Sequence, residues 1–313
     1  MHNHGMNVFV AGATGALGLP TVQALIAAGH RVRGTARGDD KVARLRALGA
    51  EAVTVDLFDA RALAEGVAGS EAVLHLATKI PPPSRPWLLS RRFQLENDRL
   101  RSEASVLLVD AALAAQARVY VQESITFPYA DAGEEWIDED AKLQPTPLLL
   151  SALDAERETQ RFTESGSRGI SLRFAGFYAP YARSTRDSVR LARYRLFPIF
   201  GTGESLFSSI HVDDAAAAAV AALDAPAGTY NITDDQPVRF REYIEALADA
   251  FGFGKPLRLP AAVARLALGP LAEVLLRSQR VSNRRFKDTT AWAPRHASVR
   301  EGWRSIAAAM RAD

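Results

Sequence analysis

Residues 7–18 read NVFVAGATGALG, and this stretch decides the fold. It opens with a short, mostly apolar run, Val8 to Ala11, of the kind that predicts a buried strand. Three glycines follow at once, at positions 12, 15 and 18, before the helical run LPTVQALIAAG that ends at Gly29. The stretch therefore predicts a strand, a tight glycine turn and the N-terminus of a helix.

A strand, a glycine turn and a helix in this order are typical of a dinucleotide-binding loop. Gly12 permits the turn, Gly15 lets the backbone approach a pyrophosphate, and Gly18 lets helix and strand pack closely. The free N–H groups of the helix N-terminus face the phosphate charge. An ordinary strand-to-helix turn is the alternative, but the context on both sides favours a binding site. The predicted contacts include the residues between the glycines, Thr14, Ala16 and Leu17.

Composition narrows the classes of protein. The 313 residues suffice for one large α/β domain, or for a main domain with a smaller appended one. Apolar residues make up 48% and charged residues 24%, as in ordinary globular proteins. The sequence has 38 Lys and Arg residues and 36 Asp and Glu residues, so the net charge is only +2. This balance does not indicate nucleic acid as a partner. The sequence has no cysteine, which excludes disulfides, thiolate metal sites and cysteine nucleophiles.

Targeting and membrane segments are not evident in the sequence. The first ten residues lack the basic region, apolar core and cleavage site of an export signal, so we expect a cytoplasmic protein. His2 and His4 are expected to lie in a frayed tail. Residues 259–276 are the most hydrophobic, but Arg265 and Glu273 interrupt them, and we expect paired amphipathic helices rather than a membrane span.

Strand and helix patterns alternate through the first 175 residues. Further strands are predicted at 30–35, 51–57, 72–78, 118–124 and 169–174, and helices at 40–48, 59–66, 93–116 and 148–165. The proline-rich loop 79–86 can continue neither element and could serve as a lid. Short connections between alternating elements predict the α/β fold class, with a doubly wound parallel sheet of the Rossmann type. We expect a dinucleotide-binding domain over 1–175, to which 205–235 returns, and a smaller substrate-binding lobe over 176–313.

A cation follows the second predicted strand. In dinucleotide sites an acidic residue here holds the ribose 2′-hydroxyl, whereas an Arg accommodates a 2′-phosphate. This sequence offers Arg37, with Arg33 and Lys41 nearby, and guanidinium geometry suits a phosphate. We therefore predict NADP(H) in preference to NAD(H). Asp39 and Asp40 leave NAD(H) open, and the alternative for Arg37 is a solvated loop charge.

Ligands of doubly wound sheets bind beyond the carboxyl ends of the strands, so the residues there are candidate contacts. Asp56 and Leu57 lie at the C-terminal end of the third predicted strand, beside the expected adenine position. Leu76, Ala77 and Thr78 end the fourth strand.

Motifs along nearly the whole chain resemble the extended short-chain dehydrogenase/reductase superfamily, also called the NAD-dependent epimerase/dehydratases. They are the glycine pattern, DLFD at 56–59, HLAT at 75–78, Asn97 within ENDRL, the strand end at 123–126, LRFAGFYAP at 172–180, FSSIHVDDAAAAAVAAL at 207–223 and GTYNITDDQPV at 228–238. TAR at 35–37 looks most like the NADP-using reductases of the group. The resemblance implies a Rossmann-type fold, a nicotinamide pocket that includes Phe174 and Phe177, and a homodimer through the helices that bear Asn97 and Leu148.

The sequence departs from this superfamily at its catalytic motif. Members usually carry Tyr-x-x-x-Lys, in which the Tyr moves a proton at the substrate oxygen and the Lys lowers its pKa. Here PTPLLLSALDAERE occupies that place, so that Leu148 stands at the Tyr position and Ala152 at the Lys position. No Tyr or Lys lies between Lys142 and Tyr178.

Three hydroxyl groups remain as catalytic candidates. Ser124 or Thr126, at the end of the fifth strand, could hydrogen-bond a substrate carbonyl or hydroxyl, although one alignment puts Ile125 at the usual Ser/Thr position. Tyr129 could supply the missing acid. The structural alternatives are that Ser124 only closes the strand end and that Tyr129 is a half-buried loop aromatic.

Other polar groups are given structural interpretations. Arg186, Arg190 and Arg193 share one face of a predicted helix. In nucleotide-sugar members of the resembling family a basic residue of the substrate lobe holds a diphosphate, but the abundance of Arg throughout this chain favours a solvated face. In the resembling family His211 belongs to a structural turn, and Asp213 is expected to cap the following helix. No cluster with metal-ligand spacing is evident, so no metal is expected.

Three functions remain open. The first is an NADP(H)-dependent oxidoreductase that acts on a small carbonyl or alcohol compound with a non-standard active site. The second is a non-catalytic NADP(H)-binding sensor or partner protein. The third is an isomerase or lyase in which the dinucleotide is structural.

Overall fold

The computed structural model of the chain describes residues 5–79, 84 and 87–312. His2, His4 and most of the proline-rich loop 79–86 fall outside the described residues. The strands, in chain order, are β1 (Asn7–Ala11), β2 (Arg31–Thr35), β3 (Glu51–Val53), β4 (Ala72–His75), β5 (Val119–Ile125), β6 (Trp136–Ile137), β7 (Arg168–Phe174), β8 (Gly176–Tyr178), β9 (Ile199–Phe200), β10 (Leu206–Phe207), β11 (Ser209–His211), β12 (Gly228–Ile232), β13 (Val238–Arg239), β14 (Arg258–Leu259) and β15 (Arg280–Val281).

Helices connect most of these strands. They are α1 (Gly18–Ala27), α2 (Asp39–Ala47), α3 (Ala60–Val67), α4 (Trp87–Ala114), α5 (Leu150–Glu164), α6 (Arg183–Arg193), α7 (Val212–Ala221), α8 (Phe240–Phe251), α9 (Ala261–Leu268), α10 (Pro270–Leu275), α11 (Arg284–Thr289) and α12 (Val299–Ala312). Asp59 caps α3 by accepting hydrogen bonds from two backbone N–H groups.

One parallel sheet carries the fold, with the strand order β12-β7-β5-β4-β1-β2-β3. Apolar residues on one face of this sheet pack against α3, α4 and α5, and those on the other face pack against α1 and α7. The prediction of a doubly wound Rossmann-type sheet is confirmed. A further apolar cluster joins α6, α8 and α12, around the fully buried Trp303. The division of the chain into a dinucleotide domain and a substrate lobe stays a prediction.

Two predicted strands are shorter in the structure. The strand predicted over 51–57 ends at Val53, because its neighbour β2 ends at Thr35, which pairs with Val53. The strand predicted over 72–78 ends at His75. Asp56, Leu57 and the segment 76–78 therefore lie in loops beyond the sheet.

The helix that follows the acidic loop begins later than predicted. Residues Pro147–Leu149 form a single 3₁₀ turn, and α5 begins only at Leu150. Pro147 opens this turn, since its ring fixes the backbone angle and removes an N–H donor. Leu148 thus lies in the 3₁₀ turn and Ala152 in α5, rather than both on one continuous helix. The long helix α4, by contrast, begins at Trp87, earlier than predicted.

Residues 259–276 contain two short helices, α9 and α10, separated at Gly269, as the sequence predicts. Within the described ranges, every helix is too short or too polar to cross a bilayer. Leu95 on α4 and Leu150 on α5 are exposed, and the expected homodimer stays a prediction.

The glycine turn after β1 is constrained from two sides. Gly12 has φ +83°, and a Cβ atom there would lie 2.6 Å from the Cα atom of Ala77. A Cβ atom on Gly18 would lie 2.0 Å from the carbonyl oxygen of Gly12. Side chains at these two positions would therefore collide with backbone, which explains the glycines at 12 and 18.

We expect Gly12→Ala to destabilise the protein much more than Gly29→Ala. Both residues have positive φ, but a Cβ atom on Gly29 would meet nothing within 4 Å. The conformational cost of roughly 1–2 kcal/mol is therefore common to both variants, and only Gly12→Ala adds a backbone collision. Urea unfolding of the two variants measures the difference. Equal losses of stability would show that the contact with Ala77 does not constrain the turn.

Candidate functional site

The N-terminus of α1 is open to a ligand. No side chain in the described part of the chain caps this helix, and its preceding residue, Leu17, is buried. Gly15 and Ala16 are exposed, and Thr14 is half-buried. The Gly12 backbone N–H donates to the Thr35 hydroxyl at 2.9 Å, which fixes the turn to the end of β2. Uncapped N–H groups beside an exposed glycine fit a phosphate of a dinucleotide.

Arg37 lies directly beyond β2 and is exposed. Within the described part of the chain its side chain has no hydrogen-bond or ion-pair partner. Arg33 is not available in the same way, because it pairs with Glu51 and donates to the backbone carbonyl groups of Gly66 and Ala68. Arg37 is thus the free guanidinium at this strand end.

The loops after β3 and β4 border the candidate binding crevice, which is the space beyond the carboxyl ends of the sheet strands. Asp56 is exposed and accepts a hydrogen bond from the Phe58 backbone, while Leu57 is half-buried. After β4, Leu76 is buried and Ala77 and Thr78 are half-buried. Because the Ala77 backbone lies against Gly12, the structure brings the β4 end and the glycine turn together. Their contacts with a dinucleotide stay predictions.

A buried polar network lies beneath the ends of β5, β7 and β12. Ser124, Arg173 and Asn231 are side by side on these three strands. Glu156 of α5 packs against them, where it accepts a 2.6 Å hydrogen bond from Ser124 and two from Arg173, at 2.7 and 2.6 Å. The Ser124 hydroxyl therefore already has a strong partner, and the residue is fully buried.

Tyr129 belongs to the same network. Its hydroxyl donates to Asn231 at 2.8 Å and accepts from Arg173 at 2.7 Å, and the residue is 0% exposed. Burial raises the pKa of the Tyr129 hydroxyl to about 12. In this arrangement the Tyr129 hydroxyl is occupied by the network and shielded from solvent.

Thr126 differs from the other two candidates. It is nearly buried, yet its hydroxyl makes no hydrogen bond to any described residue. Its backbone N–H donates to the Phe174 carbonyl, so the residue is fixed between the ends of β5 and β7. Of the three candidates, Thr126 is thus the one whose hydroxyl has no partner among the described residues. Phe174 itself is buried against the half-buried Phe177, with 5.3 Å between ring centroids.

Apolar side chains stand at the positions that sequence reasoning assigned to proton transfer. Leu148 and Ile125 are half-buried, and Ala152 is fully buried in α5. None of these side chains can donate or accept a proton. The neighbouring Ser151 is engaged with Asp98 of α4 at 2.7 Å.

His211, and not Asp213, caps α7. The Nδ1 atom of His211 accepts a hydrogen bond from the Asp213 backbone N–H at 3.2 Å. The prediction for Asp213 is wrong because its carboxylate instead accepts from the Tyr181 hydroxyl at 2.6 Å. Burial, followed by the charge of His296, lowers the pKa of His211 and keeps Nδ1 free to accept.

The sequence did not reveal that His211, Asp214 and His296 come together. Their potential ligand atoms lie within 4.8 Å of one another, and the two imidazole rings stack with centroids 4.3 Å apart. The Asp214 carboxylate already accepts from the Arg295 and His296 backbone and from the His296 ring. These hydrogen bonds identify the group as a connection between α7 and residues 290–298.

Arg186, Arg190 and Arg193 of α6 are exposed.

The fold and the glycine turn agree with a comparison of the sequence with profiles of known protein families. The profile of the NAD-dependent epimerase/dehydratase family matches residues 8–233. The chain belongs to this family. The resemblance to extended short-chain dehydrogenases/reductases is therefore confirmed.

Similar members of the NAD-dependent epimerase/dehydratase family include two reductases. A 3-diazoavenalumate denitrifying reductase from a Streptomyces species is 35% identical over 315 residues, which cover 95% of this chain and 99% of that protein. A 2-alkyl-3-oxoalkanoate reductase from Shewanella oneidensis is 28% identical and covers 87% of this chain and 73% of its own length. The crystal structure of human epimerase family protein SDR39U1 with NADPH has a TM-score of 0.81 at 24% identity, and covers 97% of this chain and 99% of its own. These comparisons support an oxidoreductase role and the fold.

Sequence reasoning missed the Glu156–Arg173 pair. The signal was an arginine within the otherwise buried strand GISLRF and a glutamate one helical turn after Ala152. An arginine in such a strand requires a buried acidic partner. The partner's position on α5, however, becomes evident only from the fold.

We expect Arg173→Met to destabilise the protein by about 3–5 kcal/mol, because it leaves the Glu156 carboxylate buried without its cation. The double variant Arg173→Met/Glu156→Leu should recover most of the loss, since it removes both charges. Arg61→Met is the matched control, because Arg61 pairs with Glu65 on the exposed surface of α3. Thermal and urea unfolding measure all three variants. A double variant as unstable as Arg173→Met would contradict this account of the pair.

Proposed function

We propose that the protein is an NADP(H)-dependent reductase that delivers hydride to a substrate without a tyrosine–lysine proton relay. The observation that carries the proposal is the contrast between two parts of one crevice. The N-terminus of α1 has no side-chain cap among the described residues, whereas the two positions that the family resemblance assigns to a proton relay carry Leu148 and Ala152. The reductase names of the two relatives support the same class of reaction.

NADP(H) is proposed as the cofactor rather than NAD(H). Arg37 is exposed at the end of β2 and has no ion-pair partner among the described residues, so it can form charge-assisted hydrogen bonds to a 2′-phosphate. Asp39 and Asp40 lie in the first turn of α2, where their negative charges interact favourably with the positive end of the helix dipole. The human SDR39U1 structure, which contains NADPH, supports this assignment.

The polar groups of the site divide into two roles. Ser124 and Tyr129 are positioning residues, because their hydroxyl groups hold Glu156, Arg173 and Asn231 beneath the strand ends. The free hydroxyl of Thr126 is proposed to hydrogen-bond the substrate. A site of this kind lacks a strong acid, and a missing general acid costs roughly 10²- to 10⁴-fold in rate for substrates that need protonation.

The substrate class proposed is therefore one whose reduction forms no anion at the reacting centre. The Streptomyces relative is named as a denitrifying reductase of a diazo compound, which fits this requirement. For an arenediazonium ion, hydride from bound NADPH forms the new aryl C–H bond, the C–N bonding pair leaves with N₂, and the products are the arene, N₂ and NADP⁺. The step consumes no proton. Leu148, Ala152 and Ile125 then serve to keep water from the reacting carbon.

Arg37→Ala tests the cofactor assignment. We expect it to weaken NADPH binding about 10- to 100-fold and to leave NADH binding nearly unchanged, because only NADPH has the 2′-phosphate. Arg46→Ala on α2 is the control, since Arg46 is also exposed. Fluorescence titration of both nucleotides into the wild-type protein and the two variants measures the six dissociation constants. An equal loss of NADH affinity would contradict a contact with the 2′-phosphate.

Single-turnover reactions with deuterated NADPH test the reaction. With an arenediazonium substrate we expect release of N₂ and deuterium at the carbon that carried the diazo group, faster than in a protein-free control. Thr126→Val should slow this turnover, and simple ketones should react at least about 10²-fold more slowly. Faster reduction of ketones would overturn the proposed substrate class. Tight NADPH binding without turnover of either class would instead favour a non-catalytic binding protein.

A further inference from the structure

Three half-buried aromatic rings from separate parts of the chain meet near the end of the central sheet. Phe127 follows β5, Phe207 ends β10 and Phe240 begins α8. The Phe127 and Phe207 rings are 6.5 Å apart at an interplanar angle of 29°, and Phe240 contacts Phe207 edge-on at 5.9 Å. We define these three residues as the aromatic face.

The fold places this aromatic face beside the proposed site of hydride transfer. Phe127 directly follows Thr126, whose hydroxyl is free of partners among the described residues. The Phe207 ring lies over Gly176, where a Cβ atom would be 2.7 Å from the Cζ atom of Phe207. Gly176 stands two residues after Phe174, the last residue of β7. The aromatic face thus adjoins the carboxyl ends of both β5 and β7, which is the edge where ligands of such sheets bind.

The aromatic face is supported by packed apolar residues and is only partly buried. Tyr243 of α8 packs edge-on against Phe207 at 5.1 Å and is itself buried. Behind it lies the apolar cluster of α6, α8 and α12. Phe127, Phe207 and Phe240 are only half-buried, so each of these residues keeps some accessible surface. A rigid backing with accessible rings is typical of a small-molecule pocket wall.

We propose that the aromatic face binds the planar aromatic ring of the substrate. Aromatic rings prefer offset or edge-on contacts with centroids 4.5–7 Å apart, and the existing contacts already follow this geometry. A bound ring extends the array, whereas a flexible aliphatic chain gains only apolar contact. This inference names the substrate class of the proposed reductase and rests on that function, but binding to the aromatic face needs no hydride transfer.

The test compares two carboxylates of equal chain length, trans-cinnamate and 3-cyclohexylpropanoate, by isothermal titration calorimetry with and without NADP⁺. We expect cinnamate to bind at least about fivefold more tightly. Phe207→Leu should weaken cinnamate binding by a similar factor and leave 3-cyclohexylpropanoate and NADP⁺ binding unchanged. Phe251→Leu is the matched control, because Phe251 is also half-buried and packs against the same apolar cluster, but it stacks on Phe253 at 5.5 Å and is not part of the aromatic face.

The outcomes separate this inference from the proposed reaction. Equal affinity for the two carboxylates, or cinnamate binding that Phe207→Leu does not change, would overturn the role of the aromatic face. If Phe207→Leu also loses NADP⁺ binding, the test is repeated with Phe127→Leu, because Phe127 lies farther from the apolar cluster. The same loss of cinnamate affinity is expected for this variant. Failure of the reductase assay with a preserved preference for cinnamate would reject the reaction and keep the aromatic face.

Discussion

The contact between the Gly12 turn and the Ala77 backbone is the constraint on which the crevice depends. β1 and β4 are parallel neighbours in the sheet, so the segments that follow these two strands leave the sheet at the same edge. Because Gly12 has no side chain, the two backbones can meet there, and the N-terminus of α1 stays open above them. The same glycine carbonyl touches Gly18, so the turn, the helix and the neighbouring strand are fixed together.

The parts of the fold that sequence could predict are those set by local chemistry. The glycine turn, the Asp59 cap and the alternation of strands and helices each depend on residues a few positions apart. The beginning of α5 was predicted too early because Pro147 stabilises a 3₁₀ turn there. The ends of β3 and β4 were placed too late because a strand ends where its neighbour ends, which a single segment does not show.

The candidate site was harder to predict because its polar groups are far apart in sequence. Arg173 lies 44 residues from Tyr129, and Asn231 lies 102 residues from it, yet the guanidinium and amide groups both contact the Tyr129 hydroxyl. Sequence identified Ser124 and Tyr129 as hydroxyl groups near a strand end. It could not show that Glu156, Arg173 and Asn231 already occupy them.

The sequence predicts dinucleotide binding without the usual proton relay, and these two functions depend on different parts of the chain. A phosphate is bound by backbone N–H groups, whose positions depend on the glycines and on the packing of α1. Proton transfer depends on particular side chains, which single substitutions remove without disturbing that packing. In this protein the space beneath the strand ends contains a buried ion pair and its neighbours, and removal of one charge from such a pair is costly. The ion pair therefore stabilises an arrangement in which the Ser124 and Tyr129 hydroxyl groups are bonded to the protein, and among the described residues only the Thr126 hydroxyl of the three candidates has no such partner.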